Sequence, residues 1–503
     1  MKKRMSIVTA LIMVFALLLT ACGEPAVNTD TSDNPASSAA TTPVSTAVTT
    51  EEKEETPDLP SPEDLGFDGQ ELTILVWKIA ARTGVTDNDD FYDENDVHME
   101  GEAVYDAALE RQRTIEEKYG VTIKTEVTSD NVHTKYLNSY KSGDAKWDII
   151  APMINHVPSL IIEQTLLEIG NLEYLDPTKT YWDQDLLSSL AVDGKNFVLT
   201  GEISTMDEEL NICVAYNQTV GEEVGIDPYP YIENDKWTID VLSELAKVAT
   251  KDLDGNGKMD KTDRFGLADN HSSAITFIQA AGERYATLNS NGVPEITVNA
   301  PRAIQVIEKI NALYNDPTIA ATITSGPTKI YASWAELNQS MVDGLICFRP
   351  ANIYNLKQYI QMEDVFTVLP MPKLEEDQEK YYHVVLTNGC AGYCVPANTD
   401  RTEFISVMLE ELAYYGRKLI KPAYYESYVN ARLTNDETTS KMFDIIFATK
   451  MYDIGYMFNW GGMQAAVAKS IETGNTASNL DGIMNAAKTA LQETYDSIHE
   501  AIN

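Results

Sequence analysis

Apolar residues recur along this chain in two alternating rhythms. Glu71-Leu-Thr-Ile-Leu-Val-Trp77 is a short, nearly continuous apolar run of the kind a buried strand needs, because a strand covered on both faces has no polar side. VYDAALERQRTIEEKYG (104–120) then places apolar residues at helical spacing and ends on Gly120, a natural stop. VTIKTEV and WDIIAP return to the strand pattern. The alternation continues through SLIIEQTLLEIG, NICVAYN, WTIDVLSELAKVATK, APRAIQVIEKINALY, GLICF, DVFTVLPMP and TEFISVMLEELAYYG. Strands alternating with helices predict an α/β fold with a largely parallel sheet. Nothing repeats at a fixed period, which excludes solenoids and propellers.

Two segments before this body break the rhythm. MKKRMSIVTALIMVFALLLTAC has a basic start, an apolar run from Met5 to Leu19 and small residues before Cys22, the layout of an export signal over 1–21. The run is too short to span a membrane comfortably. Leu19-Thr20-Ala21-Cys22 resembles the bacterial lipobox, so cleavage would leave Cys22 as a lipidated N-terminus; the other reading is an ordinary signal peptide that happens to end near a cysteine. Residues 22–65, rich in Ser, Thr, Ala, Pro and acids without apolar periodicity, read as a disordered tether. Anchor and tether together place a folded body on the extracellular face of a membrane.

Charge narrows the partners. The formal net charge of -39 becomes -42 once Lys2, Lys3 and Arg4 are removed, which excludes nucleic acid, since binding phosphates rests on Lys and Arg displacing counterions. The four remaining cysteines, Cys213, Cys347, Cys390 and Cys394, do not make a disulfide framework. Cys390 and Cys394 lie in an extended stretch where four residues span about 13 Å, too far to bridge. Buried free thiols are expected.

One stretch carries metal chemistry on its face. In DLDGNGKMDKTD, oxygen-bearing side chains fall at positions 1, 3, 5, 9 and 12 (Asp252, Asp254, Asn256, Asp260, Asp263), with Gly257 at position 6 and the Lys258 carbonyl at position 7. That is the EF-hand ligand spacing. A helical stretch capped by Thr238 precedes it and a strand, RFGLA, follows, so a structural calcium ion pinning a helix-to-strand turn fits better than a sensor with two moving helices. The other reading is an acidic turn without metal, because Asp263 stands where a bidentate Glu is usual. Catalytic motifs are not found: the six histidines are scattered, with no H-E-x-x-H, and neither G-x-S-x-G nor a phosphate loop occurs. Paired carboxylates for glycoside hydrolysis remain open, since 77 acids guarantee many accidental pairs.

The order of segments resembles the extracellular solute-binding proteins of ABC importers with maltose-binding-type folds. The motifs are a first strand ending in Trp77, EKYGVTI, SGDAKWDII, DGKNFVLTGEI, VAYNQTVGEEVGI, KWTIDVLSELAKVAT, DRFGLA, MVDGLICF and FTVLPMPKL. The resemblance implies two α/β lobes joined by a hinge around an interlobe cleft: 66–208 plus about 388–450, and 209–387 plus about 451–503. It further implies a monomer that captures a small solute, a sugar or oligosaccharide, and delivers it to a transmembrane permease. The alternative is a secreted cell-surface glycoside hydrolase or other polysaccharide-acting enzyme. For ligand contacts, strand ends and loops point to Trp77, Asn155, Glu202, Arg349, Tyr456, Asn459 and Trp460. Each has a second reading: Trp77 and Tyr456 as core, Asn155 and Glu202 as solvated groups, Arg349 in an inter-lobe salt bridge. Trp460, ahead of Gly461-Gly462, is expected to project from a lobe as an aromatic platform, with a core position as its alternative.

Overall fold

The computed structural model describes residues 55–77, 90–92, 102–144, 146–324, 326–360, 362–426 and 437–502. The expected signal, Cys22 and the tether up to residue 54 lie outside them. Strand β1 (Glu71–Trp77) runs between β2 (Thr122–Thr128) and β3 (Ile149–Ala151) in a parallel sheet of order β2-β1-β3. A central strand is covered on both faces, which is why Leu72, Ile74, Leu75 and Val76 are all fully buried. The helix Ala103–Tyr119 ends at Gly120, whose φ of 68° is the left-handed cap its sequence promises. Helix Thr402–Tyr415 returns late in the chain to this lobe, where Glu411 Oε1 accepts from Lys118 Nζ at 2.7 Å and Tyr119 Oη at 2.8 Å.

The second lobe holds a five-stranded sheet. Its strands are β4 (Ile212–Asn217), β5 (Phe265–Asp269), β8 (Ala320–Thr322), β9 (Ile346–Asn352) and β10 (Phe366–Leu369), in the order β10-β4-β9-β5-β8; β6 (Ala286–Leu288) and β7 (Pro294–Ile296) form a separate hairpin. Strands β9, β5 and β8 pair in parallel, and β10 points the same way but is separated from them by β4. Strand β4 runs against β9 and β10, so the expectation of a largely parallel sheet holds for the first lobe and for half of the second. Helix Ile239–Ala249, capped by the Thr238 hydroxyl, lies directly on β5: a Cβ on Gly266 would fall 1.7 Å from the Ala246 carbonyl oxygen.

Two antiparallel segments cross between the sheets. Leu199 and Tyr393 exchange backbone hydrogen bonds at 2.9 and 2.8 Å, and Leu386 N–H donates to Leu210 O at 2.9 Å before the first of these segments becomes β4. A third pass joins them where Val385 N–H donates to Met451 O at 3.1 Å. There Lys450 Nζ is bonded to Asp207 and lies 3.3 Å from Asp183 and 3.5 Å from Glu208, tying two passes to the first lobe. Cys213, Cys347, Cys390 and Cys394 are free and buried, as expected.

Residues 55–65, assigned to the tether from composition, belong to the folded body. Leu59 and Leu65 pack on the core, and Glu55 Oε2 accepts from Thr180 N–H at 2.9 Å. Among the described residues no helix is long and apolar enough to cross a membrane.

Candidate ligand-binding site

Strands β5 and β9 end at one edge of the second sheet, where β4 begins, and a cavity of about 390 Å³ opens there. The carboxyl ends of parallel strands are where side chains and loops can converge without disturbing the ladder. Asp269 closes β5, Arg349 to Asn352 close β9, and Leu386 and Asn388 enter from a crossing segment. Tyr456 and Gln464 come from the C-terminal part of the chain, with Gln464 Nε2 donating to the Tyr456 carbonyl at 2.6 Å. Trp334, first residue of the helix Trp334–Val342, stands at the rim and is 43 % exposed.

Two charged groups sit in the floor. Asp269 Oδ2 accepts from Tyr314 Oη at 2.9 Å, while Oδ1 is buried without a partner. Burial pushes its carboxyl up to about 7, with Arg349, the Asn270 N–H and Tyr314 opposing the shift. Arg349 is also buried; one terminal nitrogen bonds Asn338 Oδ1 and Tyr359 Oη, and its Nε has no partner. Burial lowers the guanidinium to about 10, against the pull of Asp269. Its carbon lies 5.8 Å from the centre of the Trp334 ring, so the indole covers the charge from outside.

No protein-family model matches the sequence, and no curated protein matches it either. Solved structures do. A cyclo/maltodextrin-binding protein in complex with maltotetraose aligns with a TM-score of 0.55 over 87 % of this chain and 98 % of its own, at 13 % identity. UspC of M. tuberculosis gives 0.54 over 84 % and 100 %, at 14 % identity. An ABC-transporter solute-binding protein of Thermotoga lettingae, bound to α-D-tagatose, gives 0.51 over 85 % and 100 %, also at 14 %. The fold is that of the ABC solute-binding proteins.

Within this solute-binding fold the residues singled out from sequence separate. Arg349 and Tyr456 line the cavity together. Glu202 faces a different one of about 290 Å³, where Arg417 grips it at 3.0 and 3.1 Å and Lys421 at 3.0 Å, an ion-paired position and not a solvated one. Trp77 ends β1 half-buried against the core. Asn155 is half-buried beside the crossing segment; its N–H donates to Thr387 O at 3.0 Å and its Oδ1 is buried without a partner. Asn459 takes a left-handed cap (φ 47°), and its Oδ1 accepts from Gln464 N–H at 2.9 Å, orienting a cavity residue without lining the cavity.

Trp460, expected to project, is buried. Its ring stacks on Phe458 with centroids 4.8 Å apart and its indole N–H donates to Thr494 at 3.0 Å under the C-terminal helix. Gly461 explains why: a Cβ there would fall 2.6 Å from Ala487 N, so the glycine admits that helix onto the indole instead of turning it outward. Trp334, Asp269, Asn388 and Gln464 also line the cavity, and little in the sequence marks them. Trp334 precedes Leu337 and Met341 by three and seven residues, a spacing that reads as core; only its place in the first helical turn separates it from them.

The 252–263 loop closes where Lys251 and Arg264 exchange backbone bonds at 2.8 and 3.0 Å, between the helix and β5. Asp252 accepts from the N–H groups of Gly255 and Gly257 at 2.6 and 2.7 Å, and both glycines take left-handed φ values of 71° and 79°. These bonds, Gly257's first, hold the Asp252 carboxyl below its ordinary value. Asp263 is fully buried and accepts from Leu253 and Asp260 N–H at 2.8 and 2.9 Å. Asp252, Asp254 and Asp263 each offer an oxygen within 4.8 Å of the others. Asn256 and Asp260 accept from Lys258 and Thr262 N–H, both at 2.8 Å. An all-oxygen donor set of this kind suits a hard divalent cation.

Proposed function

We propose that the chain is an extracellular solute-binding protein that captures a carbohydrate in the Trp334 cavity and presents it to the permease of an ABC importer. The observation that carries this reading is the cavity itself, in a solute-binding fold. An exposed indole shares the cavity lining with amide and hydroxyl groups, at the sheet edge where a crossing segment enters, and that is what a sugar ring with apolar faces and polar edges requires. Bending of the crossing segments around the ligand would close the site. A hydrolase reading finds less to work with, since Asp269 is the one carboxylate among the described residues lining this cavity and glycoside hydrolysis uses two.

A thermal-shift screen of the purified protein against a glycan library, with chromatography of the same mixtures, tests the reading. A binder raises the melting point and releases no product; product release would make it an enzyme. Attachment is through a lipid on Cys22, with the body working as a monomer outside the membrane. Cys22→Ala should then appear in the culture medium with an unchanged melting curve, and retention of that variant at the membrane would count against the anchor.

Calcium is the second part of the proposal. Asp252, Asp254, Asn256, the Lys258 carbonyl, Asp260 and Asp263 would hold it, its charge relieving the mutual repulsion of the convergent carboxylates and fixing the turn into β5.

A further inference from the structure

The first crossing segment carries three acids in a row, Asp207-Glu208-Glu209, and all three are buried. They lie on one turn of helix, Met206–Glu209, so successive side chains point about 100° apart and reach different neighbours. Lys450 of the third pass bonds Asp207, and burial, then the adjacent Glu208, pushes the Asp207 carboxyl well up. Glu208 lies 3.5 Å from Lys450 and 3.4 Å from Lys421 of the first lobe; burial opposes its charge, and these two lysines hold its carboxyl low. Glu209 reaches the other way. Its Oε1 accepts from Lys357 Nζ at 2.7 Å, and Lys357 belongs to the turn Ile353–Tyr359 that follows β9 in the second lobe. The same turn carries Asn355, which lines the cavity. Neighbouring residues of one short helix are thus fastened to opposite lobes.

The first lobe contributes nothing to the cavity: among the described lining residues none comes from 55–211 or 390–450. A solute held between two lobes requires the first to swing in, and the swing passes through the crossing segments. Bending at 206–209 moves Lys421 and Lys357 relative to each other, so the pairs at Glu208 and Glu209 cannot both keep their lengths. We propose that Glu209 and Lys357 form a latch that holds the lobes apart and so sets the affinity for solute without touching it. Both are positioning residues. With the Glu209 and Lys357 side chains 9 % and 19 % exposed, the pair escapes much of the screening that weakens an exposed bridge. Loss of the latch shifts the balance toward the closed form, and a binding-competent form populated more often binds more tightly. As a control on solute capture the latch rests on the reading above, but its existence is tested without any sugar.

Pulsed electron paramagnetic resonance on the full chain reads the lobe separation. Spin labels go on cysteines introduced at two exposed positions, Glu117→Cys in the first lobe and Glu244→Cys in the second, while Cys213, Cys347, Cys390 and Cys394 are buried. Glu209→Gln and Lys357→Met are each expected to enlarge the short-distance population at least about fivefold over the labelled parent, the lower end of usual coupling strengths. The swapped pair, Glu209→Lys with Lys357→Glu, should return the distances to those of the parent, which a merely structural role for either side chain would not do. Melting curves accompany every variant. Parental distances in folded Glu209→Gln and Lys357→Met, or a shift to longer ones, would overturn the latch. Failure of the swap to restore the parent would overturn the pairing. If the distances shorten as expected while the glycan screen finds no binder, the latch stands and the carbohydrate reading falls.

Discussion

The calcium-type loop and the Trp334 cavity both depend on aspartate, and the two treat it in opposite ways. In the loop, Asp252 lies at the surface, wrapped by the N–H groups of its own turn, and its carboxyl is held below the ordinary value. In the cavity, Asp269 ends a buried strand, keeps one oxygen without a partner, and is pushed up to about 7. Hydrogen-bond donors close in sequence stabilise the charged form; removal from water destabilises it. One arrangement is therefore a place to hold a cation, the other a place where the carboxyl itself is held back from ionising.

The opposition can be tested from its strongest side first. Asp269 titrates at 3.8 ordinarily and at about 7 here, so between those values the folded chain holds a proton that the unfolded chain has released. Stability therefore falls as pH rises from about 4 to about 7, by up to about 4 kcal/mol for a shift of this size, and stays low above that range. Asp269→Asn should flatten this part of the profile in urea titrations at a series of pH values; an unchanged slope would mean that the carboxylate is not carrying it. Asp263→Ala should cost about 2–3 kcal/mol, because two N–H groups lose the buried acceptor that closes the loop. Calcium at about a hundred times its dissociation constant should add roughly 2.7 kcal/mol by linkage. Asp252→Ala should abolish that increment, and identical melting curves in calcium and in chelator for the wild type would remove the metal from the account. The smallest effect has the reverse sign to the first: as pH drops through the carboxylate range, Asp252 gives up stability that it contributes above it, and without calcium this should appear as local protease sensitivity at Gly255–Gly257.

The same contrast explains what could be read in advance. The loop is contiguous, so twelve residues in order disclose its donors, its glycines and its flanking elements. Strands and helices are equally local: β1 covers the apolar run at 71–77, and Gly120 ends its helix. The cavity is assembled from β5, β9, the Trp334 helix, a crossing segment and the region around Tyr456, nearly two hundred residues apart in sequence. Strand-end reasoning reached Arg349 because the strand continues GLICF, and Tyr456 through its aromatic neighbours. It could not reach Asp269 or Asn388, whose side chains mean nothing until sheet order is known. Trp460 shows the converse error: two glycines look like a break that exposes the residue before them, and here one of them is the gap into which a helix packs.

The four buried thiols carry a practical consequence. Burial raises every one of them far beyond the range in which a thiolate forms, so the folded chain is chemically quiet in air. That quiet belongs to the fold and not to the cysteines. Each opening event releases four ordinary thiols with acidity near about 8.5, able to oxidise or to cross-link one molecule to another. Where reclosing outpaces oxidation, survival in storage follows the small population of open chain and so the depth of the free-energy minimum; on heating, once oxidation outpaces reclosing, it follows the rate of opening. Without reductant the apparent melting temperature will drift with heating rate and a second scan will recover less of the transition; with reductant both losses should shrink.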